Sequence, residues 1–241
     1  MALYTFPRSL MRDRTWGWNL SGHSIGGGRA MSGVLNVGRS DGGGLWVCTA
    51  SEVQVSTPDH VRTWRALRSL LDGGATPFVM EARDVYVAPW PKVAGAPVVS
   101  ADSTTDDLVG TDDDALYEGE TISCTLAVDA ALRATTVRLQ FAGSAYSALR
   151  GGERFSLTHA TFLDRLYEIA TVSDLGAGLY DVGIRPPLRE ATTSGARADF
   201  DHPRCVMQLA SPDTMDLAQT RREFGQGSLK LVEAFGNLLD A

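Results

Sequence analysis

Gly22-His23-Ser24-Ile25-Gly26 has the G-x-S-x-G spacing of a catalytic serine. A serine in that setting sits on a sharp turn between a buried strand and a helix, with its hydroxyl exposed and a histidine and an acid brought to it. His60, His159 and His202 follow downstream and acids are plentiful, so a triad in the order serine, acid, histidine passes a count of residues. The flanks fail the physics. Only 23 residues precede Ser24, too few for the strands that come first in such a sheet, and Gly27-Gly28-Arg29 is a poor helix opening. The expectation at Ser24 is a glycine-rich turn and no catalytic residue.

Other groups that could do chemistry are read the same way. Asp102, Asp106, Asp107, Asp112, Asp113 and Asp114 make an acidic loop of hard oxygen ligands, in which Thr111-Asp112-Asp113-Asp114 with Glu118 and Glu120 could cup a calcium ion. Their spacing does not follow the D-x-[DN]-x-[DN]-G…E loop, so a solvated acidic loop is expected and no metal. Cys48, Cys124 and Cys205 are far apart, odd in number and embedded in apolar runs, the pattern of buried thiols. No G-x-G-x-x-G or lysine-bearing phosphate loop surrounds the glycine clusters, and no cofactor is expected.

The elements that would position these groups are mostly strands. With 25 glycines in 241 residues, turns are favoured over long helices. Residues 45–56 read as a strand, and Thr57-Pro58-Asp59 then supplies a cap, a first-turn proline and an acid at the positive end of a helix dipole. Val61, Trp64, Leu67 and Leu71 form its apolar stripe, and Asp72-Gly73-Gly74 ends it. Arg62, Arg65 and Arg68 share another face, either solvated or a docking surface for an acidic neighbour. Residues 78–81 and 84–88 read as short strands. Trp90 lies between two prolines and is a candidate for burial at an interface. Trp46 and Trp64 sit in periodic apolar patterns and are expected in a core. Gly26-Gly27-Gly28 and Gly42-Gly43-Gly44 are expected to be turns bracketing one short strand.

Beyond the acidic stretch, residues 121–128 and 135–142 form a predicted strand pair, and 165–172 and 178–184 a hairpin. Pro186 and Pro187 stop its second strand, because neither can donate to a ladder. Residues 204–210 and 228–235 are the last two strands. The formal charge of −7 leaves no basic field for nucleic acid. No apolar run approaches the ~20 residues needed to span a bilayer, and the first residues lack the order of a signal peptide, so synthesis and folding in a cytoplasm are expected.

The order RLYEI, IRPPLREA, HPRCVMQL and closing SLKLVEAF is similar to segments of distal tail proteins of long, non-contractile-tailed bacteriophages and gene transfer agents. The layout of strand, Thr-Pro-capped helix, glycine pair and PFVME strand resembles their ring-forming domain more loosely. The resemblance implies a mainly β fold with one helix: a β-sandwich ring domain at 1–91 completed by 204–241, with a β-barrel-like, OB-like domain inserted at 92–203. An uninterrupted C-terminal domain is the alternative. It further implies a structural virion component rather than an enzyme, located at the tail tip. Such a component forms a homo-hexameric ring, with a trimer as fallback, between a tail tube protein and a trimeric tail-tip hub protein. Arg62, Arg65, Arg68 and Trp90 are the candidate partner-interface residues. A carbohydrate-binding host-adhesion domain is the second reading and a serine hydrolase the third.

Overall fold

A computed structural model describes residues 3–7, 15–40, 42–55, 57–82, 84, 87–90, 92–93, 96–97, 122–142, 147–217 and 225–235. Among them the chain is mainly β with one α-helix, and its sheets fit a sandwich-type unit and a barrel-like unit. The first unit comprises Met1–Ala82, His159–Arg165 and Arg204–Ala241, and the second Arg83–Thr158 and Leu166–Pro203. Expected boundaries near 91, 92 and 203 compare with a division that gives residues 83–91 to the second unit and takes 159–165 into the first.

The first unit is built on an antiparallel sheet in the order β1 (Thr15–Ser21), β4 (Leu45–Gln54), β15 (Gln226–Glu233), β14 (Arg204–Leu209) and β5 (Phe78–Glu81). In β4, Trp46, Cys48 and Ala50 alternate inward, as period two requires, and Val53 and Val55 are then buried one residue out of phase. A bulge reconciles the two patterns. Gly227 pairs with Val53 and Leu229 with Ala50, so two residues of β4 oppose one of β15, and Glu52 takes a φ of 55°. Both runs of apolar side chains thereby reach the core.

Helix α1 (Pro58–Leu70) starts and stops where its caps predict. The Thr57 hydroxyl accepts the His60 backbone N–H at 3.2 Å, and Leu71 leads into a 3₁₀ turn at Asp72–Gly74. Gly74, at φ 105°, lies so close to Leu209 that a Cβ would sit 2.9 Å from the Leu209 carbonyl oxygen. Trp64, Leu67 and Leu71 are buried, and the Trp64 indole N–H donates to the Met215 carbonyl at 2.8 Å. Burial of these three side chains, at roughly 1.5–3 kcal/mol each, fastens the helix. At the β5 edge, residues around Thr5 run parallel to Val79 and exchange hydrogen bonds with it.

Between β1 and β4 the chain makes a separate hairpin of β2 (Ser24–Arg29) and β3 (Leu35–Arg39), turning at Ala30–Gly33. This corrects the sequence expectation: Gly26-Gly27-Gly28 is not a turn but lies inside β2. Glycine is tolerated there because no residue of either strand is packed against a core.

The second unit is a six-stranded antiparallel sheet in the order β13 (Ala198–Asp199), β10 (Arg154–His159), β11 (Leu163–Gly176), β12 (Leu179–Arg185), β9 (Thr136–Ala142) and β8 (Ser123–Leu126). Its two ends nearly meet: Thr125 bridges Arg197, and Leu126 exchanges backbone hydrogen bonds with Ala196 and Gly195 at 2.9 and 2.8 Å. That closure hides most of the unpaired edge. Tyr180, Val182 and Ile184 of β12 alternate inward, joined by Leu139, Phe141, Phe155, Tyr167 and Phe200. Phe155 and Phe200 stack with centroids 5.1 Å apart. The β11–β12 turn places Ala177 at φ 51° and Gly178 at φ 76°, the positive pair that a tight two-residue hairpin needs.

Two short strands, β6 (Lys92–Val93) and β7 (Ala96–Pro97), precede this sheet. The strand expected at 84–88 is a turn at its described residues, where Asp84 accepts the backbone N–H of Val87 on its carboxylate and that of Ala88 on its carbonyl, each at 3.2 Å.

Candidate assembly surface

The candidate interface residues are held by two different parts of the fold. Arg62, Arg65 and Arg68 lie on α1, all exposed, with Arg62 opposite the buried Trp64 and Leu67 and Arg68 flanking that buried stripe one turn after Trp64. Arg62 Nη1 meets Asp59 Oδ1 at 3.0 Å, one turn earlier on the helix. Arg68 Nη2 meets Asp216 Oδ1 at 2.6 Å, just after the 3₁₀ turn at Pro212–Met215. Part of this basic face is therefore neutralised within the chain, and both pairs remain wet, which makes them weak restraints.

Trp90 does not serve an outer surface. It is fully buried in the core of the second unit, and its indole N–H donates to Asp201 Oδ1 at 2.8 Å. The other oxygen of Asp201 accepts the Ile122 backbone N–H at 3.0 Å. A buried carboxylate with two donors is satisfied. Trp46 and Trp64 are core residues, as their periodic settings predict.

Ser24 opens β2 of the exposed hairpin, in register with Arg39. No helix follows it, so the strand-to-helix elbow that activates a serine is not formed there. The same spacing recurs at Gly38-Arg39-Ser40-Asp41-Gly42, at the other foot of the hairpin, where the Ser40 backbone N–H donates to the His23 carbonyl at 3.0 Å. Two such pentapeptides in one glycine-rich hairpin trace the spacing to composition. The aspartate-rich stretch 102–114, with Glu118 and Glu120, lies outside the described residues. Among the described residues no three His, Cys, Asp or Glu side chains gather to hold a metal, and no helix is long and apolar enough to cross a membrane. Cys48, Cys124 and Cys205 are buried free thiols, and burial pushes the Cys124 thiol far up from its ordinary value.

Sequence reasoning missed two features. One is a buried ion pair in the first unit: Arg165 Nη1 meets Glu233 Oε1 at 3.3 Å with both side chains sealed from solvent. Glu233 Oε2 accepts the Trp46 backbone N–H at 3.2 Å, and Arg165 Nε donates to the Phe162 carbonyl at 2.8 Å. The guanidinium lies 4.3 Å from the Phe235 ring centroid, which partly compensates an Nη2 that has no hydrogen-bond acceptor among the described residues. The other is the hairpin itself, where Ile25, Val34, Leu35 and Val37 are each more than half exposed and Met31 is entirely so. The available signal was a negative one: from Thr15 to Ser40 the sequence has no carboxylate, in a chain whose net charge is −7.

No protein-family model matches this chain, and no curated protein is significantly similar to it.

Proposed function

We propose that this chain is a structural subunit of a virion tail tip, a distal tail protein of the kind carried by long, non-contractile-tailed phages or gene transfer agents. The observation that carries the reading is the arrangement of the first unit. A helix-backed sheet begins with β1, β4, α1 and β5, is interrupted by a nearly closed β-barrel, and is completed by β14 and β15. That is the layout implied by the segments resembling tail proteins, and a sheet that among the described residues ends at β1 offers an edge through which copies can be joined. In this role six copies, or three as the fallback, close around the tube axis. One rim meets the tail tube protein and the other the tail-tip hub, so that the work done is assembly and adaptation of symmetry rather than catalysis. Negative-stain images of the purified protein, with symmetry averaging and light scattering, test it: a closed ring is expected. A strict monomer that binds glycans saturably would instead support the carbohydrate-binding alternative.

A further inference from the structure

We infer that the β2–β3 hairpin is a docking arm covered by a second copy of this chain. The inference rests on the ring reading and names the part of the molecule that holds neighbours together.

The hairpin contributes little to its own stability. Across its ladder Val37 faces Gly26 and Ile25 faces Gly38, so two of its apolar side chains have bare backbone where a cross-strand partner would normally sit. Leu35, Val37 and Arg39 share one face and Ile25 projects from the other, and every residue of both strands is exposed. A two-stranded hairpin of this kind is marginal in water. Ile25 and Val37, on opposite faces and each across from a glycine, leave shallow recesses that a closely approaching partner can fill.

Two observations choose the occupant. Arg29 and Arg39 give the arm a positive charge with no carboxylate between Thr15 and Ser40, whereas the chain as a whole carries −7, so another copy is electrostatically complementary to the arm. Among the described residues the arm also has open backbone edges: β2 and β3 pair only with each other, and β1, from which β2 continues, is the end strand of its sheet. Unpaired N–H and C=O groups are costly in hydrocarbon, which argues against a lipid bilayer as the cover, and a second protein chain can satisfy them.

The test compares the full chain with Leu35→Asp/Val37→Asp and with Arg29→Glu/Arg39→Glu. All four positions are exposed, so far-UV circular dichroism and thermal unfolding should match wild type. By sedimentation the first variant should self-associate at least ~30-fold more weakly, the scale of losing an interface hot spot. The second should also weaken association and flatten its salt dependence. Hydrogen exchange in residues 24–39 of wild type should slow as protein concentration rises. A wild-type chain that is monomeric at every soluble concentration overturns both this inference and the ring. A ring that forms with wild-type affinity in both variants overturns the arm alone. Protection of the hairpin only on adding phosphatidylserine vesicles would assign it to a lipid surface and overturn the inference as well.

Discussion

Trp64 and Gly227 share one small volume: a Cβ built on Gly227 falls 2.7 Å from both Cη2 and Cζ2 of the indole. The helix therefore sits on β15 at a point where the strand has no side chain, and the bulge opposite, at Ser51 and Glu52, sets the pairing that places Gly227 there. Because the contact is with a rigid ring rather than the end of a flexible chain, an added methyl cannot be absorbed by a rotamer change.

Gly227→Ala should accordingly destabilise the first unit by ~1–3 kcal/mol, the usual cost of overpacking. Trp64→Ala should cost more, ~3–5 kcal/mol, through loss of a buried aromatic side chain. In the Trp64→Ala background the alanine at 227 should be nearly neutral, since the clash has gone. A denaturant-unfolding double-mutant cycle measures that coupling, and strictly additive losses would contradict the contact. Arg62→Glu, on the exposed face of α1, should leave the unfolding midpoint almost unchanged.

The sealed pair Arg165–Glu233 predicts an asymmetric response. Arg165→Met leaves a carboxylate buried without its cation and should cost ~3–5 kcal/mol. Adding Glu233→Gln removes that charge while keeping an oxygen for the Trp46 N–H, so the double variant should recover part of the loss. If chemical denaturation finds it less stable than the single variant, the orphaned Glu233 carboxylate is not the source of the loss.

Burial of Cys48, Cys124 and Cys205, with the Cys124 thiol held protonated by its apolar surroundings, predicts that native protein reacts slowly with a thiol-specific reagent at neutral pH. All three thiols should react once the chain is unfolded in denaturant. The sign follows from the raised value: burial favours the neutral thiol, so Cys124 gains no reactivity until the pH approaches its elevated pKa or the barrel opens. Rapid labelling of Cys124 in the native state would place it outside the core.

Local chemistry made α1 legible because Thr57 and Pro58 at its start and Gly73 beyond its end each act on residues adjacent in sequence, and β12 legible because one face of it is uniformly buried. The hairpin at 24–39 was not. Its glycines carry the usual mark of a turn, and with neither face packed against a core no alternation of burial exists to be read. Trp90 was misjudged for a related reason: its neighbours describe a backbone constraint, whereas its partner Asp201 is 111 residues away. Arg165 shows the same limit, since nothing near it in sequence signals that Glu233, 68 residues on, supplies its counter-charge.

The place of β15 in the first sheet governs the order in which the molecule can mature. Among the described strands it is last in the chain yet third of five across the sheet, between β4 and β14. A nascent chain emerging from a ribosome therefore carries β1 with β4, and later β14 with β5, as two half-sheets whose facing edges stay vacant until β15 arrives. The residues of the barrel are made in the interval and can fold on their own local pairings, whereas the first unit must wait for contacts separated by well over a hundred residues. β15 is thus a keystone set last, and a subunit whose synthesis stops short of it lacks the finished sheet from which a ring would be built.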